Sequence, residues 1–95
     1  MIDKKDFMSE WMEQNKGELS KAKEEIEAKR DEQQKIYYKL EVLQMPSLSN
    51  DYSVEIEELK SRSNALKNEI DAAKESITKY RVLNEELEFS LSRIK

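Results

Sequence analysis

The sequence predicts an all-α chain: a coiled coil of two long heptad helices separated by a proline-containing break. Three observations carry that prediction. Charged residues make up 40% of the chain and hydrophobic ones 37%, with one Gly and one Pro, which is the composition of a long or coiled helix rather than a globular core. Apolar residues recur at alternating steps of four and three on both sides of residues 45–51. The phase of that recurrence changes across the break. A chain this polar is also a candidate for disorder, but a disordered chain lacks a regular apolar repeat. The organisation that follows is a first coiled-coil helix over 1–44, a break or loop over 45–51 and a second coiled-coil helix over 52–95.

The first helix has a diluted seam. Its a positions are Lys5, Met12, Leu19, Ile26, Gln33 and Leu40, and its d positions are Met8, Asn15, Ala22, Lys29, Ile36 and Leu43. Asn15, Lys29 and Gln33 interrupt the apolar stripe. Gly17 falls on the outer face, where it costs about 1 kcal/mol of helix propensity relative to Ala. This helix therefore leans on its partner more than the second does.

The break is marked by chemistry. Pro46 lacks an N–H and its ring clashes with the preceding helical turn, while Met45 before it is pushed towards extended geometry. Ser47, Ser49, Asn50 and Asp51 are turn and cap residues, with Asn50 or Asp51 the expected N-cap. Glu55, Glu57 and Glu58 then suit the positive end of the helix dipole. From Leu40 to Ile56, both at a, the spacing is two residues more than whole heptads, so no continuous helix could keep one seam through it.

The second helix is the stronger one. Its a positions are Ile56, Ser63, Ile70, Ile77, Asn84 and Leu91, and its d positions are Tyr52, Leu59, Leu66, Ala73, Tyr80, Leu87 and Ile94. A strict repeat of seven imposes a left-handed supercoil against a partner helix. The expected coiled-coil core is Ile56, Leu59, Leu66, Ile70, Ile77, Tyr80, Asn84, Leu87 and Leu91.

Two arrangements compete for that seam. A parallel homodimer through the second helix ranks first. Ile at a, Leu at d and one Asn at a favour two parallel strands, and Glu18–Lys23, Glu25–Arg30, Glu55–Lys60 and Glu69–Lys74 would be opposite-charge g–e pairs. An antiparallel hairpin ranks second. It pairs Leu43 with Ile56, Leu40 with Leu59, Ile26 with Ala73, Ala22 with Ile77 and Asn15 with Asn84. It also sets Lys16 near Arg81, Lys23 near Lys74, Arg30 near Lys67 and Glu32 near Glu69, each like-charge contact costing about 0.3 kcal/mol. Two hairpins joined through their second helices into a four-helix bundle reconcile both.

The absences narrow the function. Without His or Cys there is no imidazole base, thiolate nucleophile, disulfide or Cys/His zinc site. Glu24–Glu25, Glu57–Glu58 and Glu85–Glu86 read as solvated helix faces rather than catalytic or metal pairs. No Gly-rich phosphate loop or EF-hand spacing is present. The net charge of −4 is spread evenly, and no basic region precedes the zipper-like helix, so a nucleic-acid partner is not expected. No apolar run reaches a membrane span and "MIDKKDFMSEW" has no apolar signal core, so the expected setting is intracellular, cytoplasmic or nuclear, without membrane insertion.

What remains is protein binding. Off-seam apolar residues gather near the first helix's start (Phe7, Trp11), around the break (Tyr37, Tyr38, Val42, Met45, Leu48, Tyr52, Val54) and near the second helix's end (Val82, Leu83, Phe89). Phe7, Trp11, Tyr37, Tyr38, Leu83 and Phe89 are the candidate partner-docking residues, because exposed aromatics on a charged rod are typical interface anchors. Packing within the chain is the simpler use for the same residues. The sequence therefore predicts a non-enzymatic structural or interaction protein, without cofactor, metal or small-molecule substrate. It would be a coiled-coil dimerisation and spacer module whose partners are itself and other proteins. The alternative is a monomeric helical hairpin acting as a binding module or small chaperone.

Overall fold

A computed structural model of the chain describes residues 1–48 and 50–94. Ser49, expected in the turn, and Lys95, expected at an e position, lie outside the described residues. Two helices account for most of the chain: α1 over Lys4–Leu43 and α2 over Ser53–Ser92, of 40 residues each.

Each start satisfies part of its exposed backbone locally. At α1 the carboxylate of Asp3 accepts from the backbone N–H of Asp6 at 3.0 Å, a side-chain cap that the heptad reading passed over. α2 departs from expectation. Its cap position is Tyr52, not Asn50 or Asp51, and the Tyr52 side chain makes no capping bond. Asp51 acts one step earlier: its Oδ1 accepts from the Ser53 backbone N–H at 3.0 Å and from the Ser53 hydroxyl at 2.6 Å, a local turn closed by a short side chain. Those two bonds, the hydroxyl first, hold the Asp51 carboxyl below its ordinary range. At the end of α1 the Gln44 N–H reaches the carbonyl of Leu40, and Pro46 lies in the connection that follows.

The molecule measures 74 × 21 × 14 Å, the dimensions of one helix pair lying side by side. Forty residues at 1.5 Å each give about 60 Å of helix. α1 and α2 run antiparallel along each other within the chain. The second-ranked arrangement is thus the one the single chain adopts, and the seam of α2 that a parallel homodimer would use faces α1. The register is the hairpin register of the sequence. Asn15 bonds Asn84, and Ile26 packs with Ala73 and Ile70, with Ile77 against them.

The buried set falls wholly on seam positions: Met8, Asn15, Ala22, Ile26 and Ile36 from α1, and Leu66, Ile70, Ala73 and Leu87 from α2. Leu66, in the first half of α2, is fully enclosed at 0% exposure. Ile56, Leu59, Ile77, Tyr80, Asn84 and Leu91 are half-buried, as two-helix packing leaves them. Lys5 is the one seam position that stays exposed. Lys29 and Gln33 are half-buried, so the polar interruptions of α1 do occupy the seam. Gly17 faces open space, with nothing within 4 Å of where a Cβ would stand.

Candidate functional site

The hairpin offers four surfaces: a looped tip, an open end and two lateral grooves. The tip carries Tyr37, Tyr38, Val42, Met45, Leu48 and Val54, all exposed. Tyr38, Val42 and Leu43 line a shallow concavity there together with Lys39. Tyr38 and Val42 are four apart, so they share one helical face. Tyr52 is half-buried and its hydroxyl accepts from the Asn50 amide at 3.4 Å.

The open end holds the other candidates. Phe7 and Trp11 also lie four apart, and their rings meet at 6.0 Å between centroids and 38° between planes. Both are exposed, Trp11 only just so at 37%. On α2, Phe89 is exposed and lies beneath the Arg93 guanidinium at 4.2 Å, a cation–π contact. Leu83 is half-buried, and Val82 beside it is exposed. Antiparallel packing brings the Phe7–Trp11 pair and the Val82–Phe89 segment to the same end of the rod. Among the described residues the aromatic and cation–π contacts lie within each group.

One polar layer fixes the alignment of this end. The Asn15 amide nitrogen donates to the Asn84 side-chain oxygen at 2.9 Å, and the Asn84 amide nitrogen donates to the backbone carbonyl of Met12 at 3.3 Å. Asn15 is only 3% exposed. Among the described residues no buried side-chain nitrogen or oxygen lacks a partner. A heptad slip would strand both amides against apolar neighbours, at about 1–3 kcal/mol for each unsatisfied group.

The grooves differ in charge. On one side Glu32 and Glu69 approach across the helix pair, the like-charge contact that the sequence counted against a hairpin. Arg62 resolves it. Its guanidinium donates to both Glu32 oxygens, at 2.9 and 3.0 Å, and to Glu69 at 3.3 Å. Lys29 adds to this from the seam, its amine 3.5 Å from Glu25 and 3.7 Å from Glu69. The two-pronged hydrogen bond from Arg62 holds the Glu32 carboxyl below its ordinary range and pushes the guanidinium up in turn. This network had a legible signal, since Arg62 stands at g among the acids of the same row. Counting g–g contacts in isolation missed it.

The other groove has no such bridge. Its floor is Ile26 and Ile77, and its walls are Lys23, Arg30 and Lys74, with Glu27 at the edge. Lys16, Lys60, Lys67 and Arg81 continue the same e rows, and all are exposed. Among the described residues only Lys16 in these rows has a carboxylate within salt-bridge distance, Glu13 at 3.2 Å.

No family model, curated protein or solved structure matches this chain. The surfaces themselves must carry any reading. Neither helix is long and apolar enough to cross a membrane. Among the described residues no group of three or more acidic side chains is placed to hold a metal ion.

Proposed function

We propose that this chain is a non-enzymatic interaction module: a helical hairpin that spaces protein partners bound at its two ends. The Asn15–Asn84 bond is the observation that supports it most strongly, because it joins two polar seam residues that only the antiparallel register makes neighbours. The remaining support is the distribution of surface. Exposed aromatic and aliphatic side chains gather at the tip and at the open end of a rod 74 Å long, and the shaft between them is charged. Aromatic anchors of this kind dock proteins through shape and desolvation, and they require no catalytic group. A shaft of two paired helices, about 60 Å of helix, keeps the ends apart.

The dimerisation reading differs in one testable respect. A parallel homodimer through α2 needs Ile56, Leu59, Leu66, Ile70, Ile77, Leu87 and Leu91 for a second chain, whereas the hairpin uses them against α1. The two cannot share that seam. Labels on Gln14 and Glu85, exposed residues beside the asparagine layer, separate them when read by spin-label distances together with solution mass from light scattering. The hairpin requires labels within about 20 Å in a monomer, or in a dimer of hairpins. A continuous parallel rod sets them on the order of 100 Å apart within each chain, and that result, with a dimer mass, would overturn the proposal.

A further inference from the structure

We infer that the unbridged groove walled by Lys23, Arg30 and Lys74 is a docking site for one acidic amphipathic helix of a partner protein, which completes a three-helix bundle. The inference rests on the hairpin reading, since only antiparallel packing brings these two e rows together.

Two observations on the same molecule support it. The first is the contrast between the grooves. Where Glu32 faces Glu69, the chain supplies Arg62 and Lys29 to neutralise the contact. Where Lys23 faces Lys74, and the same rows place Arg30 opposite Lys67 and Lys16 opposite Arg81, it supplies no bridging carboxylate from across the groove. The free hairpin therefore carries a ladder of cation rungs, one per heptad and so about 10 Å apart. The second is the floor. Ile26 and Ile77 lie between the basic walls, and Ile77 is only half-buried. A cationic wall over an apolar floor is the complement of a helix with an apolar ridge flanked by carboxylates at e and g, and the spacing of the rungs is its heptad repeat. Nucleic acid fits less well. Glu27 stands at the groove edge, and Asp71, Glu85 and Glu57 lie one turn from the bases, which interrupts a phosphate track but not a helix that alternates acids with apolar residues.

The test uses the full chain and a designed four-heptad peptide with Leu at a and d and Glu at e and g, followed by fluorescence anisotropy at low and moderate salt. A peptide with the same ridge and Lys at e and g, a DNA duplex and anionic lipid vesicles serve as competitors. The expected result is saturable binding of the acidic peptide, weakened by salt, and weakened at least tenfold by Lys23→Glu with Lys74→Glu. Lys21→Glu with Lys35→Glu, on the far side of α1, leaves it unchanged. The Gln14–Glu85 label distance is measured on every variant. If that distance stays short and the acidic peptide fails to bind, this inference falls while the hairpin stands. Equal loss in the Lys21/Lys35 variant, stronger binding of the duplex or vesicles, or equal binding of the Lys peptide would also overturn it. So would a doubling of mass without peptide that Lys23→Glu with Lys74→Glu abolishes, because a second copy of the chain would then be the occupant.

Discussion

The two grooves flank one seam and share its register, yet they treat facing like charges in opposite ways. In the acidic groove, Arg62 and Lys29 gather Glu25, Glu32 and Glu69 into one network. In the basic groove, Lys23 on α1 faces Lys74 on α2 with no carboxylate bridging them. The difference teaches that rows of facing charge are a weak guide to helix direction. A single long side chain from a neighbouring position can reverse the sign of a contact. What remains unbridged costs only a few tenths of a kcal/mol per exposed pair.

The largest effect available lies beneath both grooves. Leu66 is fully buried, and Leu66→Ala removes side-chain volume that the two-helix core cannot refill. It should destabilise the hairpin by about 2–5 kcal/mol in chemical denaturation. A loss below about 1 kcal/mol would mean that the seam between the grooves is much looser than the register implies.

Next is the layer that aligns them. Asn15→Leu leaves the Asn84 oxygen without its donor and should cost about 1–3 kcal/mol. Adding Asn84→Leu should recover much of that loss, because both partners are then apolar. The measurement is a double-mutant cycle. Additive losses would remove the coupling that sets the register of both grooves alike.

Smaller effects distinguish the grooves directly. Arg62→Glu places a third carboxylate beside Glu32 and Glu69 and should lower the melting temperature. Lys74→Glu gives Lys23 an opposite charge and should raise the melting temperature slightly, for a gain of a few tenths of a kcal/mol. Shifts of the same sign would erase the contrast. Acidity acts on the acidic groove through Glu32. Folded Glu32 holds its proton less readily than the unfolded chain does, because Arg62 hydrogen-bonds its carboxylate. The stability from that pair is therefore complete above the ordinary glutamate value of 4.5 and is lost as pH falls through the lower folded value. Glu32→Gln should flatten this part of the melting profile between neutral and acidic pH.

Much of this was legible in the sequence. The heptad steps identified the seam, and the described a and d positions other than Lys5 are buried or half-buried. The pairings of Asn15 with Asn84 and of Ile26 with Ala73 follow from the register written for a hairpin. Helix direction was harder to read. The charge rows favoured a parallel pair, and they set Glu32 against Glu69 without the reach of Arg62 or the pairing of Lys29 with Glu69. The N-cap of α2 was misplaced for a related reason. Asp51 does bind the first-turn amide, but through a local turn rather than from the cap position. Among the docking candidates, Phe7, Trp11, Tyr37, Tyr38 and Phe89 are exposed, whereas Leu83 is half-buried. Off-seam position alone could not separate an exposed aromatic from a half-buried aliphatic residue.

The antiparallel layout also gives the molecule a mechanical direction. Lys4 and Ser92, where the two helices start and stop, share one end of the rod. A pull between those points peels the helices apart like a zipper, loading one seam layer at a time, each about 5 Å of helix. A pull from Lys4 to the looped tip instead runs along α1, whose own backbone hydrogen bonds carry it, and opens no seam layer in turn. In the peeling geometry the Asn15–Asn84 layer is reached before the Ile26–Ile70–Ala73 cluster. The hairpin therefore resists tension along its length far better than tension across its mouth.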